Sequence, residues 1–393
     1  MRKMMFYSTL FLTAFTIGIG LWAAEAIARW EVKQPAPYDG KQADMSKPVK
    51  IFIFMGQSNM LGFGLVPGMD VKGSLGYYCK KEKKYPFLLD QQGNWVLRKD
   101  VRCVLWITAN SGPAKVDWLQ PGFGARPQFI GPELGFGYVV GNAVEAPVLL
   151  IKACIGNRSL GWDYLPPGSQ RFASVRKDRS GVEKTFVYAG YKDRPPFWEM
   201  DKAQGLATPP PPWLGKDGKP IDWYAGKQYD DDVAKAKAVL ADIGKYYPGA
   251  DSYEIAGFVW FQGHKDQDPV YASRYEQNLA NLIKALRKEF NAPKVPFVLA
   301  TGCGNPGTEG FGLKIADAQL AMNDANKYPE FAGNVTCVDA RGFWPKPEES
   351  PSKQGYHYYW NAATYMDVGL SLGWAMVELL NKERANIERG KNE

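Results

Sequence analysis

Five short runs along the chain are apolar at most positions: 49–55, 147–154, 254–262, 296–302 and 334–339. Runs of this length without polar alternation read as strands buried on both faces, the habit of a parallel sheet. Between them the apolar period changes. Over 228–246 and 271–290 apolar residues recur every three or four positions, and Tyr275, Leu279, Leu282, Ile283 and Leu286 form one such face. A third helix is expected over 313–328 and a last one over 361–381, with Asn361 as its cap. Strands alternating with helices predict an α/β fold, a three-layer α/β/α sandwich on a mainly parallel five-stranded sheet. Sites in such sheets lie at the C-terminal strand ends.

Two stretches fit the alternation poorly. Residues 63–130 are aromatic and turn-rich, and 163–226 carry Pro166-Pro167, Pro195-Pro196 and a run of four prolines from Pro209. Both read as long insertions on one domain spanning 49–383, placed to build a substrate cleft. Residues 27–48, rich in Pro, Lys and Gln, read as a linker, and 384–393 as a charged tail. At the N-terminus Arg2 and Lys3 precede an apolar stretch from Met4 to Ala24, followed by Ala24-Glu25-Ala26. Residues 1–26 therefore read as a secretory signal peptide with a small-x-small cleavage site. An uncleaved membrane anchor is the alternative. Export predicts a secreted or periplasmic protein, with membrane contact only if the segment stays on.

Composition narrows the chemistry. With 45% hydrophobic and 23% charged residues over 393 positions the chain is globular. Cleavage after Ala26 removes two basic and one acidic side chain and leaves a net charge of +6. That excess is modest, and Lys80-Lys81-Glu82-Lys83-Lys84 reads as a solvated loop, so no nucleic-acid partner is expected. Five cysteines are too few for a disulfide scaffold. Cys79 with Cys103, or Cys303 with Cys337, stand where a bridge is chemically open, and Cys154 reads as a buried thiol. With two histidines and no Cys-x-x-Cys, a zinc site of the common Cys/His types is not expected, and serine chemistry, which the strand ends suggest, needs no metal or cofactor.

The strand ends carry the candidate chemistry. The first run closes in Met55-Gly56-Gln57-Ser58-Asn59. A glycine permits a sharp turn, and the serine then sits where a helix begins, beside free N–H groups suited to an oxyanion. The chemistry suggested is attack of a serine on an ester carbonyl; a plain helix cap is the bland alternative. The second run leads into Gly156-Asn157 and the third closes in Gln262-Gly263-His264-Lys265-Asp266. His357 lies in Gln354-Gly355-Tyr356-His357-Tyr358, a turn ahead of the last helix.

Taken together these segments resemble the SGNH (GDSL-like) hydrolases, in the carbohydrate acetylesterase and sialate O-acetylesterase branch. Gly-Gln-Ser-Asn resembles the branch's first block, and Trp260-Phe261-Gln262-Gly263 its Trp-x-Gln-Gly block. The resemblance implies a flavodoxin-like sandwich with Ser58 as nucleophile and His357 as general base. It implies an oxyanion hole from Ser58, Gly156 and Gln262, with Gln57, Asn157 and His264 toward the substrate. Gly131-Pro132-Glu133-Leu134-Gly135-Phe136-Gly137 resembles a structural segment of the same branch.

Two departures stand out. His264 occupies the place of a glutamate in the third block. The last block of the family, Asp-x-x-His, here has Gln354. Either the pair is oriented by a neutral acceptor, or a carboxylate arrives from elsewhere. Asp339, at a strand end, is the first candidate, followed by Glu348, Glu349 and Asp266. The function implied is an exported serine esterase that removes O-acetyl groups from an oligo- or polysaccharide. The chain's 13 Trp and 21 Tyr suit sugar rings. The alternatives are a lipase, arylesterase or thioesterase on the same fold, or a non-catalytic glycan-binding relative.

Overall fold

The computed structural model describes residues 32–107, 112–178 and 180–392. The expected signal peptide, 1–26, lies outside the described residues. At the centre is a sheet of seven strands: β1 (Val49–Gly56), β2 (Arg98–Ile107), β3 (Lys115–Leu119), β4 (Val148–Cys154), β5 (Tyr253–Phe261), β6 (Phe297–Ala300) and β7 (Val335–Val338). Their spatial order is β7-β6-β5-β1-β4-β2-β3. All neighbours are parallel except β3, which runs antiparallel to β2.

Side chains of β1 alternate between two cores. Phe52 and Phe54 enter the layer of α2 (Glu133–Ala143) and α6 (Ala362–Asn392). Ile51, Ile53 and Met55 enter the layer of α3 (Lys227–Leu240), α4 (Pro269–Glu289) and α5 (Gly310–Leu320). Both faces are dry, which is why the strands read as continuous apolar runs. The three-layer sandwich is as expected.

The strand count is corrected from five to seven. The two additional strands come from the stretch read as a loop insertion. Arg98, Asp100 and Arg102 disguise β2 in the sequence. In the fold Arg98 is 1% exposed, pairs with Asp100 and lies over the rings of Tyr38 and Tyr138. A charge buried with its partner reads as a loop residue to any pattern of hydrophobicity. In the second stretch, Phe172–Lys177, Glu183–Tyr188 and Phe197–Glu199 form a separate antiparallel sheet. A small core of Trp162, Leu165, Val187 and Trp198 lies at that sheet. Residues 32–44 have no regular structure, and Trp374 and Asn142 donate to the carbonyls of Lys33 and Ala36. Helix α6 runs through the charged tail to Asn392.

Among the five strands expected from sequence the spatial order is fifth, fourth, third, first, second. The chain leaves β1 for β4 on one side and returns for β5 on the other. The topological switch point, where such sheets place their crevices, therefore lies at the C-terminal ends of β1 and β5.

Candidate active site

At that switch point β1 ends in Gly56, whose φ is 150°. A Cβ there would lie 2.3 Å from the Phe261 carbonyl oxygen, so β5 approaches too closely for any other residue. The chain then makes one helical turn, α1 (Ser58–Leu61), closed by Leu61 N–H to Gln57 O and Gly62 N–H to Ser58 O. Ser58 is 9% exposed.

The residues on either side of Ser58 are struts. Gln57 is buried, and its Oε1 accepts from the amides of Gly263 (3.2 Å) and Lys265 (3.3 Å) beyond β5. Its carboxamide oxygen is thus spent on the neighbouring loop, which leaves Nε2 for the substrate-facing place expected of it. Asn59, fully buried, donates to Tyr356 O (3.1 Å) and accepts from Tyr365 OH (2.8 Å). Through Asn59 the serine turn is tied directly to the residue before His357.

His357 is buried in an irregular loop in which Tyr358, Tyr359 and Trp360 all have φ between 51° and 63°. Three consecutive left-handed residues without glycine are strained. They are held by Tyr358 OH on Gly302 O (2.6 Å) and Trp360 Nε1 on Gln354 Oε1 (2.9 Å). The indole nitrogen only donates, so it identifies that Gln354 atom as oxygen. The same oxygen lies 3.0 Å from His357 Nδ1. Nδ1 must then carry the proton and donate it. Nε2 is left with a lone pair, the tautomer a general base requires. Burial, with the nearby His264 adding to it, pushes the imidazole pKa down to about 4.

The displaced carboxylate is corrected by the same contact. Asp339 is engaged by Arg341 and by Thr301 Oγ1 (2.9 Å), and Gln354 occupies Nδ1. Asp266 is also committed elsewhere. It is fully buried and accepts from Leu160 N, Gly161 N and Gln262 Nε2 at 2.6–2.8 Å. Burial pushes its carboxyl up to about 7 against those three donors.

Gln262 is not free to meet an oxyanion. Its Nε2 donates to Arg158 O (2.9 Å) and Asp266 (2.6 Å), and its Oε1 accepts from Tyr275 OH (2.9 Å). It is wholly buried. The expected donor role is corrected to one of support: Gln262 and Asp266 clamp the turn after β4. That turn presents Gly156, where a Cβ would lie 3.4 Å from the Ser58 Cβ. Asn157 follows, exposed, at φ 59°. The backbone N–H groups of Ser58 and Gly156 donate to no other described residue. His264 is half-buried with its ring near-parallel to Tyr356 at 5.9 Å, on the His357 side. Burial and Lys265 lower its pKa.

The five cysteines are buried and unbridged, so neither disulfide considered from the sequence forms. Among the described residues no cluster of three or more His, Cys, Asp or Glu is placed to hold a metal, and no helix is long and apolar enough to cross a membrane.

The carbohydrate esterase family described as sialic acid-specific acetylesterase matches residues 214–376. The match covers less than half of the chain. The matched segment contains Gln262, His264, Asp266, Gln354 and His357, while Ser58 and Gly156 lie before it. A probable carbohydrate esterase of Arabidopsis thaliana is 34% identical over 91 residues, 23% of this chain. That match spans 30% of the Arabidopsis protein's length. An X-ray structure of an Arabidopsis thaliana protein is 18% identical, covering 84% of this chain and 98% of that one, with a TM-score of 0.48. A carbohydrate acetylesterase from Xanthomonas citri is 11% identical, covering 84% and 57%, with a TM-score of 0.44.

Some of the wiring around the candidate site escaped the sequence. Asp266 stands four residues after Gln262, a spacing that offered a signal for the clamp. Gln57 and Asn59 gave none, because their partners lie some 200 to 300 positions away.

Proposed function

We propose that the protein is an exported serine esterase that removes O-acetyl groups from an oligo- or polysaccharide. Ser58 Oγ attacks the acetyl carbonyl carbon while its proton passes to His357 Nε2. The tetrahedral oxyanion is met by the N–H groups of Ser58 and Gly156. The C–O bond to the sugar then breaks, and the imidazolium returns the proton to the departing sugar oxygen. Water attacks the acetyl-Ser58 ester with His357 again as base, releasing acetate and restoring the serine. Gln354 holds the imidazole in its Nδ1–H form, so the unit is a Ser-His dyad with a neutral orienting group.

The observation that carries this reading is the tautomer. A histidine whose Nδ1 is committed to an oxygen, tied through Asn59 to a serine turn at the switch point of the sheet, is arranged for proton transfer at Nε2. The carbohydrate substrate is supported by the family description of residues 214–376. Export is supported by the N-terminal sequence pattern.

The test is acetate release from a panel of acetylated glycans, alongside labelling by an organophosphonate. Acetate release with the phosphonate on Ser58 is expected. A phosphonate that leaves Ser58 unmodified, in a protein that still releases acetate, contradicts the mechanism. Hydrolysis of long acyl esters in preference to acetyl esters contradicts the substrate.

A further inference from the structure

A triad carboxylate does three things for a histidine: it fixes the tautomer, aims the ring and stabilises the imidazolium. Gln354 supplies the first two and lacks the charge for the third. The face of the ring is not empty, however. The Phe63 ring lies flat against His357, with centroids 3.8 Å apart and planes 7° from parallel. An aromatic face attracts a cation more than it attracts the neutral ring. The contact therefore strengthens as His357 takes up the serine proton, which is the condition for an interaction to lower a barrier rather than merely bind.

We propose that Phe63 is a positioning residue for His357, supplying through its ring face part of the stabilisation that a carboxylate supplies elsewhere. This rests on the Ser58–His357 reading above. The backbone places Phe63 there with little freedom. It follows α1 by two residues, between Gly62 and Gly64. A Cβ on Gly62 (φ 93°) would lie 2.3 Å from Gly131 Cα, and one on Gly64 would meet Ile130 at 2.9 Å and Tyr365 at 3.0 Å. Gly64 and Leu65 then pair with Ile130 and Phe129. The Phe129 ring packs 5.5 Å from Phe63 and 5.2 Å from Trp360, whose indole holds Gln354. One aromatic cradle thus serves both the face and the Nδ1 edge of the imidazole. Because Ser58 and Phe63 belong to one short segment, nucleophile and base are placed by a common piece of chain.

The experiment compares Phe63→Leu, Phe63→Tyr and Phe63→Met on acetyl ester hydrolysis, each checked for folding, with and without Gln354→Glu. Phe63→Leu is expected to lower kcat about tenfold with KM within about twofold, and Phe63→Tyr to restore it. In the Gln354→Glu background, where a carboxylate supplies the charge, Phe63→Leu should cost less than about threefold. Since the chain has only two histidines, ring protons are also resolvable by selective labelling. Those of His357 should show an aromatic ring-current shift in the unaltered protein that is lost with Leu or Met and kept with Tyr. Parental kcat in a folded Phe63→Leu protein overturns the proposal, as does Tyr being no better than Leu. An equal loss in the Gln354→Glu background, or no ring-current shift in the unaltered protein, does the same. If Ser58→Ala or His357→Ala keeps parental turnover, the underlying mechanism fails instead.

Discussion

Ser58 enters the candidate site from the end of a central strand, while His357 enters from a loop with three consecutive left-handed residues. At the first, local rules are enough. An apolar strand, a glycine that β5 forces to be a glycine, and one helical turn place the serine. At the second, local rules fail. The loop holds its shape because Tyr358, Trp360 and Gln354 find partners, and because Asn59 and Phe63 reach it from the serine turn. The regular region supplies the frame, and the irregular one is fitted to it by buried polar and aromatic contacts. The placing of His357 is thus borrowed from the Ser58 segment.

The strongest break of this comparison is removal of Ser58 or His357, the two reacting groups of the proposed mechanism. Ser58→Ala is expected to lower kcat by about 10³-fold or more in a folded protein, and His357→Ala by a similar factor. The double variant should lose little more, because the two act as a unit. Additive losses in steady-state assays would separate the two residues.

Next is the tie between the two regions. Asn59→Ala leaves Tyr356 O and Tyr365 OH without their shared partner in a dry site. A fall in kcat of about 10²-fold is expected, since misplacing a catalytic group by about 1 Å has that scale. A chemical denaturation curve should show a loss of about 1–3 kcal/mol. Parental kcat alongside that loss of stability would make Asn59 purely structural and uncouple the two regions.

Gln262 sharpens the contrast on the other side of Ser58. As a clamp, its replacement by alanine should cost about 1–3 kcal/mol of stability, because Arg158 O and Asp266 lose a donor. Its effect on kcat should be nearer tenfold than the 10²–10³-fold of a lost oxyanion donor. A variant of unchanged stability with a 10³-fold slower turnover would return Gln262 to the oxyanion hole.

How much the sequence disclosed follows the same division. The five apolar runs, helices α3 to α6 and the Ser58 turn were legible because each is a local pattern, while α2 was not read as a helix because Gly135, Gly137 and Gly141 weaken its pattern. Strand β2 was not, because Arg98 and Asp100 neutralise one another out of water. The position of His357 ahead of the last helix was legible, but its partner was not. Charge and a strand-end position pointed to Asp339, yet Arg341 stands two residues along and claims it. Gln262 and Gln57 carried the chemistry of donors in the sequence. Only the fold reveals that the Gln262 Nε2 is already taken by Arg158 O and Asp266, and the Gln57 Oε1 by the amides of Gly263 and Lys265.

The measurement closest to the central claim is the pH dependence of kcat/KM for acetyl ester hydrolysis, in the unaltered protein and in Gln354→Glu. A buried imidazole beside a neutral carboxamide has its pKa lowered to about 4. The base is active when neutral, so activity should hold as pH falls through 6 and decline only near 4. Stability declines earlier: the unfolded imidazole takes a proton near 6.5, so the folded state loses support between about 6.5 and 4, and folding must be checked at each pH. A carboxylate in place of the Gln354 carboxamide favours the imidazolium and should move the acid limb upward. An inflection near 6.5 in the unaltered protein, left in place by Gln354→Glu, would contradict a base that is set by its contact with Gln354.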